Sequence, residues 1–356
     1  MGSLLECMTI HDSNDPNQSP FSLLEALAFK VHGWPFTRDH RKLVNFFQVT
    51  PLPALKDLSI TYLDVDRSLT FTREFTLPYS QLRNLKFRAH DTIELPHILS
   101  SCHSLVTLEM ELISRDSPTT PTWYNSLMQT PLPNLTDLTM HIYLTEGSYT
   151  INDHLLAHLY CPSLLSLTLR GASNSSFVTS EPFLRRSTIH AKLFEHGVVS
   201  FLSNSGCTLT HLTIDTISIT SRSLFQLLQT PLCSSLLYLC AKEVEPARDT
   251  LIGFENESLN FSEDLFRGLF DSSLVSSLRL LPSLRNLRIK MATGVNDEIF
   301  ASLESIPCFR HVSLESVVFE IPDNLTGSLR RDLYKDIAVA MKVVGYPSGK
   351  VFVGAG

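Results

Sequence analysis

Leu135-Thr136-Asp137-Leu138-Thr139-Met140 carries the pattern on which the chain is built: apolar residues in the first, fourth and sixth places, with polar ones between them. The last two apolar residues stand two apart, the spacing that keeps side chains on one face of an extended strand. The first leads in from the preceding turn. The same spacing recurs at Leu24-Leu27-Phe29, Leu55-Leu58-Ile60, Leu82-Leu85-Phe87, Leu105-Leu108-Met110, Leu164-Leu167-Leu169, Leu209-Leu212-Ile214, Leu236-Leu239-Ala241, Leu284-Leu287-Ile289 and Phe309-Val312-Leu314. Ten strands, each with one buried face, are expected.

The first residues of successive copies lie 31, 27, 23, 30, 29, 45, 27, 48 and 25 residues apart. Most of these intervals hold one strand, one turn and one helix, the size of a leucine-rich repeat. The connectors repeat as well: Gln48-Val49-Thr50-Pro51-Leu52-Pro53, Gln129-Thr130-Pro131-Leu132-Pro133 and Gln229-Thr230-Pro231-Leu232 precede three different strands. A proline there stops a helix and starts an extended lead-in. On the far side of the unit, Asn152-Asp153, Ser221 and Asn296-Asp297 supply capping residues ahead of the helical patterns Leu155-Leu156-Leu159, Leu224-Leu227-Leu228 and Ile299-Phe300-Leu303.

The predicted fold is an α/β solenoid of about ten irregular repeats over residues 21–320, a horseshoe with a parallel concave sheet and outer helices. Residues 1–20 read as a flexible polar tail. The two long intervals, near 171–187 and 243–262, read as insertions or as degenerate repeats. Residues 321–356 supply a capping helix, amphipathic from Ser328 to Val344, and a tail from Tyr346 onward that is frayed or extended.

Composition narrows the function. A net charge of −7 gives no electrostatic grip on a phosphate backbone or an anionic membrane, so neither nucleic acid nor membrane is the expected partner. The seven cysteines form no Cys-x-x-Cys pair, and the N-terminus has no apolar run long enough for a signal peptide; a reducing compartment, cytoplasm or nucleus, fits. No Gly-x-Ser-x-Gly elbow or phosphate-cradling glycine loop occurs, so no enzyme activity and no cofactor are expected. His154 and His158 stand one helical turn apart but have no third ligand in the sequence. They, His97 and His103 read as ordinary helix or turn histidines, and no metal is expected.

Side chains alternate along a strand, so the residues between the buried positions belong to the concave face. The candidates there are Asp57, Lys86, Arg88, Glu109, Glu111, Asp137 and His141, followed by Arg170, His211, Asp215, Tyr238, Lys242, Arg288, Lys290, His311 and Glu315. A basic pair, Lys86 and Arg88, adjoins an acidic pair, Glu109 and Glu111. This is either a protein-binding surface with charge complementarity or a solvated face whose strands offset one another. Tyr238 is the aromatic anchor on that face, with Trp123 and Tyr124 at a helix start as a rim.

With these strands, helix starts and Cys161-Pro162-Ser163-Leu164, residues Phe21–Glu320 resemble the leucine-rich-repeat region of F-box/leucine-rich-repeat proteins, the divergent fungal kind in particular. Cys102, Cys161, Cys207 and Cys308 stand one to three residues before a strand, as in the cysteine-containing class of those repeats. The resemblance implies the substrate-recognition part of a ubiquitin-ligase receptor, monomeric, that binds a protein on the concave face. Two departures stand out. Three residues after each strand's last apolar position the chain holds residues such as His90, Tyr143 and Val244 instead of an Asn or Cys ladder, and no F-box is visible. A Skp-type adaptor is a partner only if an F-box lies outside this chain. The alternative is a stand-alone scaffold or regulator of the GTPase-activating or inhibitor type, with Arg115, Arg170, Arg185 or Arg186 as its contact arginine.

Overall fold

The computed structural model describes residues 23–32, 52–63, 77–90, 95–113, 130–142, 152, 155–171, 197–215, 217, 221–242, 281–290, 315–321 and 351–355. The strands start alike because the same turn precedes them. The N–H of the first template leucine donates to the carbonyl three residues back: Leu55 to Leu52, Leu82 to Tyr79, Leu105 to Cys102, Leu135 to Leu132, Leu164 to Cys161, Leu236 to Cys233 and Leu284 to Leu281, at 3.0–3.3 Å. Most residues opening this turn are buried leucines or cysteines. The following leucine is buried most completely, at 0% exposure for Leu55, Leu82, Leu135, Leu164, Leu209, Leu236 and Leu284.

The residue after that leucine sets the register. Its carbonyl accepts two successive N–H groups from the next strand: Lys56 and Asp57 both donate to Glu25, Arg83 and Asn84 to Lys56, Val106 and Thr107 to Arg83, and Thr136 and Asp137 to Val106. The device continues where Thr210 and His211 donate to Leu165, Leu237 and Tyr238 to Thr210, and Arg285 and Asn286 to Leu237. Buried backbone groups need partners, and this double acceptance lines each strand up level with the last.

The chain forms two compact units. Unit 1 comprises Met1–Leu164 with Asn204–Gly206. In it β1 (Ala26–His32), β2 (Asp57–Leu63), β3 (Asn84–His90), β4 (Thr107–Ile113) and β6 (Asp137–Ile142) pair in parallel in that order. The two-residue strands β5 (Thr130–Pro131) and β7 (Leu159–Tyr160) make a separate parallel pair. Helix α1 (Leu95–Ser101) buries Leu95, Ile98 and Leu99, one stripe at helical spacing.

Unit 2 holds β8 (Ser166–Gly171), β9 (His211–Asp215), β10 (Tyr238–Lys242), β11 (Asn286–Lys290), β12 (Ser316–Ile321) and β13 (Val351–Ala355), each parallel to the next. Helix α2 (Val199–Ser205), of which Val199–Ser203 belong to unit 2, buries Phe201 and Leu202, and α3 (Ser221–Leu228) buries Leu224, Leu227 and Leu228, the latter as its spacing predicts. After α3 the Thr230 hydroxyl donates to the Leu227 carbonyl at 2.6 Å, and Pro231–Cys233 forms one 3-10 turn. The similar connector Thr130-Pro131 is instead strand β5, because Tyr160 offers it a backbone partner. Leu159, read as the end of a helical pattern, belongs to β7 and is still buried.

The tenth strand corrects the sequence reading. Leu287 is level with Val317 and Ile289 with Phe319, so Val317 and Phe319 take the strand positions that the sequence reading gave to Val312 and Leu314. Both frames satisfy the apolar spacing. The backbone decides, since Glu315 and Ser316 donate to Arg285 at 2.7 and 3.0 Å, and the run Val317-Val318-Phe319 suits a strand. The C-terminal segment read as frayed or extended forms β13 against β12. The segments 1–20, 172–187 and 243–262, the helical patterns at 299–303 and 328–344, and Cys308 lie outside the described residues.

Candidate functional site

Period-two burial gives each sheet a polar side. Along β6 the pattern is strict: Leu138, Met140 and Ile142 are buried, while Asp137, Thr139 and His141 are partly open. In unit 1 this side carries seven of the candidate residues, and parallel pairing arranges them in rows. Lys86 is level with Glu109, and Arg88 with Glu111. Lys86 Nζ lies 2.8 Å from Glu109 Oε1. Arg88 Nε lies 3.1 Å from Glu111 Oε1 without hydrogen-bond geometry, so that contact is coulombic.

Glu109 has a second partner. His141 Nε2 stands 3.1 Å from its Oε1, although the residue level with Glu109 on β6 is Thr139. The contact is therefore diagonal, across two residues of strand. Partial burial pushes the Glu109 carboxyl up, but Lys86 and His141 together outweigh that and hold it below its ordinary value. Asp57 accepts from Asn84 Nδ2, and Asp137 from the Thr136 hydroxyl at 2.6 Å.

Between these groups lies an open hollow of about 380 Å³. Ala26, Ala28 and Ser59 line it together with Asp57, Asn84, Lys86, Thr107 and Glu109. Only the charged members stood out in the sequence. The hollow arises from missing bulk at level positions on β1 and β2, visible once those strands are set side by side.

In unit 2 the polar side carries Arg170, His211, Asp215, Tyr238, Lys242, Arg288 and Lys290. Lys242 Nζ meets Asp215 Oδ2 at 3.1 Å. The rings of His211 and Tyr238, level on β9 and β10, lie 5.9 Å apart at a 30° tilt. Burial, then the neighbouring Cys240, push the Tyr238 hydroxyl up, with the positive charge of Arg288 opposing them. Cys240 is buried although its place in the alternation belongs to the polar side, and burial raises its thiol.

One candidate leaves the face. Glu315 precedes β12 in the shifted frame and sits beside Arg285, 3.6 Å away, with both side chains mostly exposed. His311 lies outside the described residues, as do Arg115, Trp123, Tyr124, His154, Arg185 and Arg186. The lead-in pair Lys56–Glu25, at 2.8 Å, was not foreseen; the residue after each first leucine is the position that reveals it.

Cys233 was also missed. It occupies the same turn position as Cys102 and Cys161, three residues before a first leucine, so an offset count would have found it. Burial drives the thiol of Cys102 up to about 12 and those of Cys207 and Cys233 to about 11. Among the described residues no three His, Cys, Asp or Glu stand close enough to share a metal ion, and no helix is long and apolar enough to cross a membrane.

Compared with known proteins, the chain matches no family model, and no curated protein matches it significantly.

Proposed function

We propose that the chain is a leucine-rich-repeat solenoid that recognises another protein on the polar side of its parallel sheet, as the substrate-recognition part of an F-box-type ubiquitin-ligase receptor. One observation carries the recognition reading: within each unit, backbone hydrogen bonds hold polar side chains in level rows above a fully buried leucine layer. Rows held by the backbone are preorganised, so a partner does not have to order them on binding. Individual face residues can vary without disturbing the leucines below. The surface pairs contribute at most about 1 kcal/mol each to folding, which favours a role in selecting a partner over one in stability.

The free, buried thiols Cys102, Cys161, Cys207, Cys233 and Cys240 support a reducing compartment, cytoplasm or nucleus. A regulator of the GTPase-activating or inhibitor type is the second reading, and Arg170, exposed near the end of β8, is what favours it.

Affinity capture with the full-length gene product tests the proposal. Reversing Glu109, Glu111, Arg288 and Lys290 together is expected to abolish capture of the partner that the native protein retains, and undiminished capture overturns the sheet-face reading. Co-purification of a Skp-type adaptor is expected. Its absence, with the protein partner still bound, removes the ligase role and leaves the regulator.

A further inference from the structure

Unit 2 carries a charge excess that one-sided burial does not require. Among the described side chains on its polar side, Arg170, Lys242, Arg288 and Lys290 are cationic and Asp215 is anionic, so four minus one leaves +3. The whole chain is at −7, so the patch runs against the bulk charge. Asp215 is level with Arg170 on one side and Lys242 on the other, one carboxylate between two cations. Lys242, already paired with Asp215, is level with Lys290, so a second cation stands directly opposite it.

An anchor stands in the same patch. Tyr238 is half-buried, its ring beside that of His211. Its orientation is set before any partner arrives, which lowers the entropy cost of binding. Tyrosine and arginine are the residues on which protein interfaces most often depend. Arg288 is exposed, and a guanidinium presents its donors in a planar fork that matches a carboxylate.

We infer that this patch docks an acidic, aspartate- or glutamate-bearing segment of the partner protein, with Tyr238 as the anchor. The inference rests on the recognition reading above and adds the partner's chemistry. A peptide is favoured over nucleic acid because the chain's total charge opposes a phosphate backbone, whereas a short acidic segment meets only the local excess.

Fluorescence anisotropy with the full chain tests it, using labelled peptides that alternate Glu with Ser or Lys with Ser, and labelled oligouridylate. The glutamate peptide is expected to bind, and to weaken as salt is raised. Arg288→Glu with Lys290→Glu, and separately Tyr238→Ala, should each weaken it about tenfold or more while the protein stays folded at the assay temperature by circular dichroism. Arg83→Glu, a reversal at a strand lead-in of unit 1, should leave it unchanged. Equal binding of the lysine peptide, tighter binding of oligouridylate, or indifference to the double reversal overturns the inference. If the glutamate peptide fails while reversing Glu109 and Glu111 still abolishes partner capture, the acidic-segment inference falls alone. If capture survives every reversal, the recognition reading falls with it.

Discussion

Lys86 and Glu109 stand level on β3 and β4 with their charged atoms 2.8 Å apart, and His141 reaches the same carboxylate oxygen from β6 at 3.1 Å. Three adjacent strands thus meet at one carboxylate. Lys86 is about half exposed, so solvent screens its part of the contact, whereas His141 is more sheltered.

Stability should therefore depend on pH through Glu109. Its carboxyl is held below the ordinary value, so its contribution is complete above about 4.3, the unfolded-chain value, and is lost as pH falls through the lower native one. Urea unfolding midpoints measured from neutral pH down into the acid range should fall more steeply for the native protein than for Glu109→Gln. Parallel curves would show that the three-strand contact leaves the carboxyl unperturbed.

Adjacent residues on one strand should differ sharply in cost. Leu138 is fully buried and Thr139 faces the polar side. Leu138→Ala leaves a cavity and should destabilise by about 2–5 kcal/mol, while Thr139→Ala should stay within about 0.5 kcal/mol. Denaturant unfolding of the two variants checks the alternation, and similar losses would contradict it.

That alternation is also what made most of the fold legible in the sequence. Leu55, Leu58 and Ile60 declare their burial by spacing alone, because a strand has only two sides and one of them must leave water. Level neighbours such as Lys86 and Glu109 follow once every strand starts from the same template leucine. Legibility ended where two frames satisfied one template. Val312-Leu314 and Val317-Phe319 are equally good strand pairs by hydropathy, and the Arg285 carbonyl chooses the second. The diagonal reach of His141 to Glu109 depends on a neighbour two residues out of level, which a one-dimensional pattern does not contain, and the burial of Cys240 runs against the alternation itself.

The buried thiols should be silent until the chain unfolds. Cys102, at about 12, and Cys207 and Cys233, at about 11, stay protonated where a free cysteine, near 8.5, has begun to ionise. Native protein treated with a maleimide at about pH 8 should carry no label at these positions by peptide mass spectrometry, and full label in urea. Because these values are raised, the native state holds its thiol protons more tightly than the unfolded chain. Stability should be complete below about 8.5 and decline as pH climbs from there toward 11. Rapid native labelling of Cys102 would contradict its burial.

Gly206 follows α2 with φ at +62°, the left-handed conformation in which glycines commonly end helices. A Cβ built there meets nothing within 4 Å, so no neighbour has to move to admit a side chain. The cost of Gly206→Ala is then that of the backbone alone, about 1 kcal/mol, because an L side chain disfavours positive φ. Asparagine tolerates this conformation better than alanine does, so Gly206→Asn should lose less. The order of unfolding midpoints, native above asparagine above alanine, distinguishes backbone strain from crowding: if crowding dominated, the larger asparagine would lose more.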